Sequence, residues 1–230
     1  MFTDLNIDRP INLIQEVRTL HSLCENGVSL YCDSHNYQKL LPLKEFFDCN
    51  INLGLNPSGK SFSEVVSIIH HEPTTKIDNI VKNLIFPKSL IDFCQEENDN
   101  KLDEIYFRGL ITGKREKSIE KLKSITNKTI TIDSSNKGRK FPLKTFDKDY
   151  FDEMKKYRFV FCPDGDFVWS YRFFETIMCG AIPIVENESA LFSGFYYYNL
   201  KSDLNSIEWN KEWVIKNLEL LKQNFTYEIN

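Results

Sequence analysis

Four stretches of the chain hold residue types at spacings that could do chemistry. The densest is 157–185, YRFVFCPDGDFVWSYRFFETIMCGAIPIV. It reads as an apolar strand ending at Cys162-Pro163, a turn at Asp164-Gly165-Asp166, and a helix carrying Ser170, Arg172 and Glu175 before Gly180 stops it. In open α/β sheets ligands bind where the carboxyl ends of strands meet helix N-termini, whose free N–H groups attract phosphate. An arginine near such an end can hold a diphosphate through paired hydrogen bonds, and a glutamate about one turn later can accept two hydroxyls of a ribose. Glu175 is also spaced for a surface ion pair with Arg172, three residues away.

The other three stretches have weaker grammar. Gly54–Ser61, GLNPSGKS, fits the P-loop pattern G-x-x-x-x-G-K-[ST], in which Lys60 would reach the β- and γ-phosphates and Ser61 a Mg²⁺ ion. A P-loop must open a helix, whereas the following SFSEVVSIIHH is rich in β-branched residues and ends early at Pro73. A Gly/Pro/Ser turn is the expected role, with TITID as the Walker B candidate if the motif is genuine. The run HHEP, 70–73, ends the VVSII strand, so His71 or Glu72 could serve as a general base if it faced a cleft; the same residues also make an ordinary strand-to-turn junction. Asp33 and His35, after the strand VSLYCD, are comparable candidates. Asp164-x-Asp166 is formally a metal-binding D-x-D, but it sits beside a helix already supplied with cationic side chains, so it is read as an acidic turn and no metal ligand is assigned.

These residues need elements to position them. Apolar spacing predicts a helix near 11–25 ended by Asn26-Gly27, a strand in VSLYCD, a helix around 36–48, and short strands at NINL and VVSII. The polar run QEENDNKLDE, between Gln95 and Glu104, reads as a linker. After it come strand EIYF, a helix 115–124, strand TITID, a helix 147–156, strand RFVFC, a helix 168–179 and strand IPIVE. A closing helix over 208–224 places Val214, Leu218, Leu221 and Phe225 on one stripe beside Trp209 and Trp213. Strands alternating with helices of about three turns imply a parallel sheet covered on both faces.

Composition narrows the function classes. The chain has 230 residues, 41% hydrophobic and 27% charged, with a net charge of −4. Broad attraction to nucleic acid phosphates is disfavoured by that acidic balance. No stretch approaches the ~18 consecutive apolar residues of a membrane-spanning helix. The start, MFTDLNIDRP, has no secretory leader pattern, so a cytoplasmic chain is expected, with reduced and mostly buried cysteines at 24, 32, 49, 94, 162 and 179. Lys137-Gly138-Arg139-Lys140 and the helix bearing Lys114, Arg115, Lys117, Lys121 and Lys123 read as solvated faces. They could also attract an anionic donor, or hold the chain at a membrane surface beside a lipid-linked acceptor.

The string F-C-P-x-G, four residues, S-x-R-F-x-E, four residues, G-x-I-P-I-V resembles the nucleotide-sugar-binding part of exostosin-type glycosyltransferases, which have the two-Rossmann-domain architecture called GT-B. Upstream, IYFRGLITGKR resembles the strand and phosphate-side loop opening the C-terminal domain of those enzymes and, more distantly, of protein O-glucosyltransferases. Together the matches span roughly residues 104–200. The resemblance implies that Arg108, Thr112 and Arg115 lie on the diphosphate side, that Gly165 lets the backbone approach it, that Ser170 and Arg172 bind phosphate oxygens, and that Glu175 holds the ribose. Retaining members of the wider fold often carry a second glutamate eight positions before the one at 175; position 167 is Phe here, which favours inversion.

The sequence thus predicts an α/β chain of two Rossmann-like halves, GT-B-like with a reduced N-terminal half: residues 1–95 on the acceptor side, a linker at 96–103, and a donor-binding domain at 104–230. The expected activity is glycosyl transfer from a nucleotide-diphosphate sugar, UDP-linked, to a glycan or other hydroxyl acceptor, with no cofactor required. A P-loop NTPase or kinase, a catalytically idle sugar-nucleotide-binding module and a metal-dependent transferase remain as alternatives.

Overall fold

Two parallel sheets, each with its own core, organise the chain. The structure, a computed structural model, describes residues 2–95, 100–111, 113–133 and 145–228. The described residues of 1–91, 141–147 and 223–230 form a first unit, and those of 92–140 and 148–222 a second.

The first unit runs β1 (Asp4–Ile7), α1 (Ile14–Glu25), β2 (Ser29–Cys32), α2 (Ser34–Phe47), β3 (Ile51–Leu53) and β4 (Lys60–Ser61), giving a parallel sheet of order β3-β2-β1-β4. Parallel neighbours need crossover connections, and α1 and α2 supply them. Leu5, Ile7, Leu30 and Cys32 alternate along β1 and β2 and are buried, as are Val17, Leu20 and Leu23 of α1. Glu16 fixes the start of α1 by accepting the backbone N–H groups of Asn12 at 2.8 Å and Leu13 at 2.9 Å, donors that no helical carbonyl can reach. The single turn α3 (Phe62–Val65) then leads into an antiparallel sheet of β5 (Val66–Ile69), β6 (Thr74–Ile77) and β7 (Ile80–Lys82). Helix α4 (Lys88–Cys94) passes from the first unit's residues to the second's.

The second unit runs β8 (Leu102–Arg108), α5 (Gly113–Ser124), β9 (Ile130–Asp133), α6 (Lys148–Met154), β10 (Tyr157–Cys162), α7 (Tyr171–Met178), β11 (Ile182–Val185), a 3-10 turn at Ala190–Phe192, β12 (Tyr198–Asn199) and α8 (Lys211–Phe225), whose last three residues belong to the first unit. Its sheet is parallel, ordered β12-β11-β10-β8-β9. A strand buried on both faces reads as a continuous apolar run, and β10 and β11, buried at every position but Arg158, show why YRFVFC and IPIV lack alternation. Ile105, Phe107, Phe159, Phe161, Ile182 and Ile184 build one core face, against which Trp209, Trp213 and Val214 pack. On the opposite face Tyr106 stacks on Tyr157, with ring centroids 4.4 Å apart. Truncating Phe161 to Ala would cost ~3 to 5 kcal/mol.

Both sheets are mixed with helices in the alternating way of a Rossmann-like α/β fold. Among the described residues no helix is long and apolar enough to cross a membrane. The described cysteines are all free thiols, five of them buried and Cys24 half-buried.

Several expectations change. Strand β1 begins within the segment left without an element, and it is the strand on which β2 and β4 both pair. VVSII does contain a strand, but its first two residues split between a helical turn and β5, and β5 pairs antiparallel with β6 rather than joining a parallel sheet. The helix expected from 168 starts at Tyr171, because Phe167 and Trp169 pair with each other in a short bridge that holds the chain extended. The stretch read as a linker already contains the first residues of β8, whose Leu102 N–H bonds the Lys156 carbonyl at 2.7 Å.

Candidate functional site

In the second unit the chain leaves β8 toward β9 on one side and later enters β10 on the other, so sheet order reverses between β8 and β10. Loops diverge at such a switch point and leave a crevice beyond the strand ends, where doubly wound proteins bind ligands. Arg108 ends β8, Cys162 ends β10, and the N-termini of α5 and α7 follow from these two loops.

The sequence-predicted residues gather there. Arg172, in the first turn of α7, donates from Nη2 to the Arg108 carbonyl at 2.6 Å and lies over the Phe107 ring at 4.8 Å. Its Nε is buried with no hydrogen-bond partner among the described residues. Ser170 is the N-cap of α7, yet its side chain makes no capping bond, and its Oγ is likewise buried without a partner. An unmade hydrogen bond at a buried polar group costs roughly 1 to 3 kcal/mol, and these two stand side by side at one helix start. Arg115, on the first turn of α5, is tied to both loops, donating to the Leu110 carbonyl at 3.1 Å and the Asp164 carbonyl at 3.4 Å. Gly165 lies beside it: a Cβ there would stand 3.9 Å from Arg115 Nη2. Thr112 falls outside the described residues, as do Lys137, Gly138, Arg139 and Lys140.

Carboxylates surround these cations. Arg108 pairs with Asp133 at 3.3 Å. Asp164, only 6% exposed, accepts from Asn187 Nδ2 at 2.8 Å and stands 3.8 Å from Lys114 Nζ, while Glu186 accepts the Asp164 N–H at 3.3 Å. Glu175 is 8% exposed and accepts the Tyr150 hydroxyl at 2.9 Å. Burial first, and then the Glu175 charge, push the Tyr150 phenol well above its usual range, so Tyr150 is a fixed donor. Arg108 lies over the Tyr150 ring at 5.8 Å. Cys162, pushed up to about 12 by burial, is no nucleophile at neutral pH. Among the described residues no group of three or more His, Cys, Asp or Glu side chains could hold a metal ion.

Sequence reasoning missed Tyr150, Gly109, Asn187 and Glu186. Gly109 leaves room for the guanidinium: a Cβ at this position would sit 2.6 Å from Arg172 Nη2, which would have to shift. A glycine directly after an apolar strand is a signal that could have found it. Tyr150 had none, because it comes from α6, on the far side of β10 in sequence.

No family model matches the chain, and no curated protein matches its sequence significantly.

The first unit's candidates take other places. His71 and Glu72 lie 3.7 Å apart on the turn between β5 and β6, 67% and 65% exposed. Antiparallel pairing of β5 removes them from any parallel-strand carboxyl end. Asp33 is the N-cap of α2, accepting the Asn36 N–H at 2.8 Å, and His35 is exposed on that helix's first turn. Lys60 and Ser61 are strand residues paired with Leu5 and Asn6, not the start of a long helix. The Asn6 amide fills the preceding loop, donating to the Asn56 carbonyl at 2.8 Å and the Gly59 carbonyl at 3.0 Å. The Asn56 N–H in turn donates to Asn6 Oδ1 at 2.8 Å, so the loop's inward groups are taken up by the Asn6 side chain rather than left as a row of free N–H groups for a phosphate.

Proposed function

We propose that the second unit binds a nucleoside diphosphate sugar at the β8/β10 switch point and that the chain transfers the sugar to a hydroxyl acceptor. The observation that carries this reading is the pair of buried, unpartnered donors Ser170 Oγ and Arg172 Nε at the N-terminus of α7, with Arg108 and Arg115 beside them. Phosphate oxygens would complete both groups, and the helix N-terminus would favour their charge. The resemblance of residues 157–185 to exostosin-type glycosyltransferases supports the same assignment, with a UDP-linked donor, a GT-B-like pairing of the two units and inversion in one displacement. Glu175 already accepts the Tyr150 hydroxyl, so a ribose that binds Glu175 must share or displace it.

Arginines and a helix N-terminus can neutralise a leaving diphosphate without a metal. Nucleotide-sugar turnover is therefore expected to survive EDTA; complete loss restored by Mn²⁺ or Mg²⁺ would reassign Asp164 and Asp166 as ligands. The deciding experiment is a thermal-shift panel of UDP, GDP, CMP and ATP, since a ligand selective for the native state raises its apparent stability. A shift with UDP supports the reading, and no shift with any of the four sinks it. A second reading, a module that binds the sugar nucleotide without turning it over, is favoured by the exposed hairpin position of His71 and Glu72. Product formation from a UDP-sugar separates the two.

A further inference from the structure

The turn after β10 holds a buried acid, Asp164, that the donor-site reading leaves without a role. Backbone pairing of β10 with β11 ends at Cys162 and Val185, and Pro163, which follows, has no N–H with which to continue the ladder. Side chains carry the register on. Glu186, one residue past Val185, accepts the Asp164 N–H at 3.3 Å, and Asn187, two past it, donates from Nδ2 to the Asp164 carboxylate at 2.8 Å. The turn is gripped through its backbone and its side chain together.

The same residue reaches the loop after β8 on the other side of the switch point. Its carbonyl accepts Arg115 Nε at 3.4 Å, while the Leu110 carbonyl accepts Arg115 Nη1 at 3.1 Å. Two acceptors on one planar guanidinium fix its orientation, and the direction of one of them is set by the turn that Glu186 and Asn187 hold. Of the partners of the Asp164 carboxylate, Asn187 counts for more. It stands at hydrogen-bond distance, whereas Lys114 Nζ is 3.8 Å away on a largely exposed side chain, where an ion pair contributes little. The arrangement therefore asks for an acceptor at position 164 rather than for a charge.

We propose that Asp164 is a positioning residue: its carboxylate, held by Asn187, fixes the turn whose carbonyl orients Arg115 at the crevice. The role rests on the donor-site reading above and gives Asp164 neither a metal ion nor a contact with the ligand. Its test is UDP calorimetry on the full chain for Asp164→Ala, Asp164→Asn and Asn187→Ala, with circular dichroism to show that the variants fold. Asp164→Ala and Asn187→Ala should each weaken UDP at least about fivefold, the scale of one net hydrogen bond, while Asp164→Asn stays within about twofold of the parent. In an Arg115→Ala background Asp164→Ala should cost nothing further, because residues that act through one another are not additive. A carboxylate acting by charge alone would let both Asp164 variants bind UDP more tightly and leave Asn187→Ala unchanged. A metal ligand would make Asp164→Asn as damaging as Asp164→Ala, with affinity that depends on Mn²⁺. Either pattern, or parental affinity in Asp164→Ala and Asn187→Ala, would overturn the positioning role while leaving the donor site standing. If Asp164→Ala does not fold, Asn187→Ala and Asp164→Asn carry the same decision. Failure of UDP to bind the parent would remove the donor site and the positioning role together.

Discussion

Each unit has a parallel sheet whose strand order reverses once, between β1 and β4 in the first and between β8 and β10 in the second, and the two switch points differ in what fills them. In the first, Asp8 follows β1 and closes the junction: its carboxylate accepts Ser61 Oγ at 2.6 Å, Ser63 N–H at 3.0 Å and Ser63 Oγ at 3.0 Å. Asn6 fills the neighbouring loop, and Arg9 pairs with Glu16. In the second, Arg172 and Ser170 are left with buried groups that no described residue satisfies. Topology marks two places where a crevice opens, and the proposed donor site is the one whose buried groups are left open.

The comparison breaks most directly at Arg172. Replacing it with Ala should weaken UDP binding by ~1.5 to 3 kcal/mol, the range for hydrogen bonds to a charged partner, with the fold retained. Calorimetry showing parental affinity would mean the open donors serve no phosphate. Gly109→Ala attacks the same guanidinium without touching it. The new Cβ meets only the tip of a flexible side chain, so it should cost under ~0.5 kcal/mol of stability while weakening UDP by about 1 to 2 kcal/mol.

The first unit should answer in stability instead. Asp8→Ala removes a side chain that satisfies donors at the start of α3, and should cost about 1 kcal/mol in urea unfolding with UDP affinity unchanged. Burial pushes the Asp8 carboxyl up, but the donors of Ser61 and Ser63 outweigh it and hold the group below its ordinary range. A depressed folded pKa gives stability that is present above the unfolded value, near ~3.9, and lost as pH falls through the folded value. The difference between parent and variant should accordingly narrow in unfolding curves below about pH 4. A difference that grows on acidification would mean Asp8 is not bonded as described. Smallest of all is Lys60→Ala, expected to change ATP affinity, UDP affinity and stability by less than ~0.5 kcal/mol, because Lys60 is an exposed strand residue. Loss of tight ATP binding with Lys60 would restore the P-loop reading and reverse the roles of the two units.

Much of the second unit was legible because its signals are local. The apolar runs of β10 and β11, the helix stop at Gly180, which has φ 65°, and the Ser-x-Arg-x-x-Glu spacing of α7 all lie within one stretch of 29 residues, and burial on both faces of a parallel strand leaves a run that needs no partner to be recognised. The first unit was harder. Its P-loop pattern matched a regular expression whose physical requirement, a helix opening at Lys60, is not met: the segment pairs with β1 instead, and β1 was too short and too polar to stand out in DLNI. HHEP read as the end of a strand, but whether that strand pairs parallel or antiparallel depends on β6, which its own sequence does not announce.

By itself the sequence determined which side chains are available for phosphate chemistry, and that they cluster in α7 and at the end of β8, since residue type and helical spacing are properties of the chain alone. Only the tertiary structure decided which of them remain open. Tyr150 reaches Glu175 from α6, Gly109 leaves the space that Arg172 occupies, and Asp8 closes the other switch point, each through a contact between residues at least 25 positions apart. Hydrogen-bond satisfaction is a property of pairs, and the partner is known only once the sheets have brought it there.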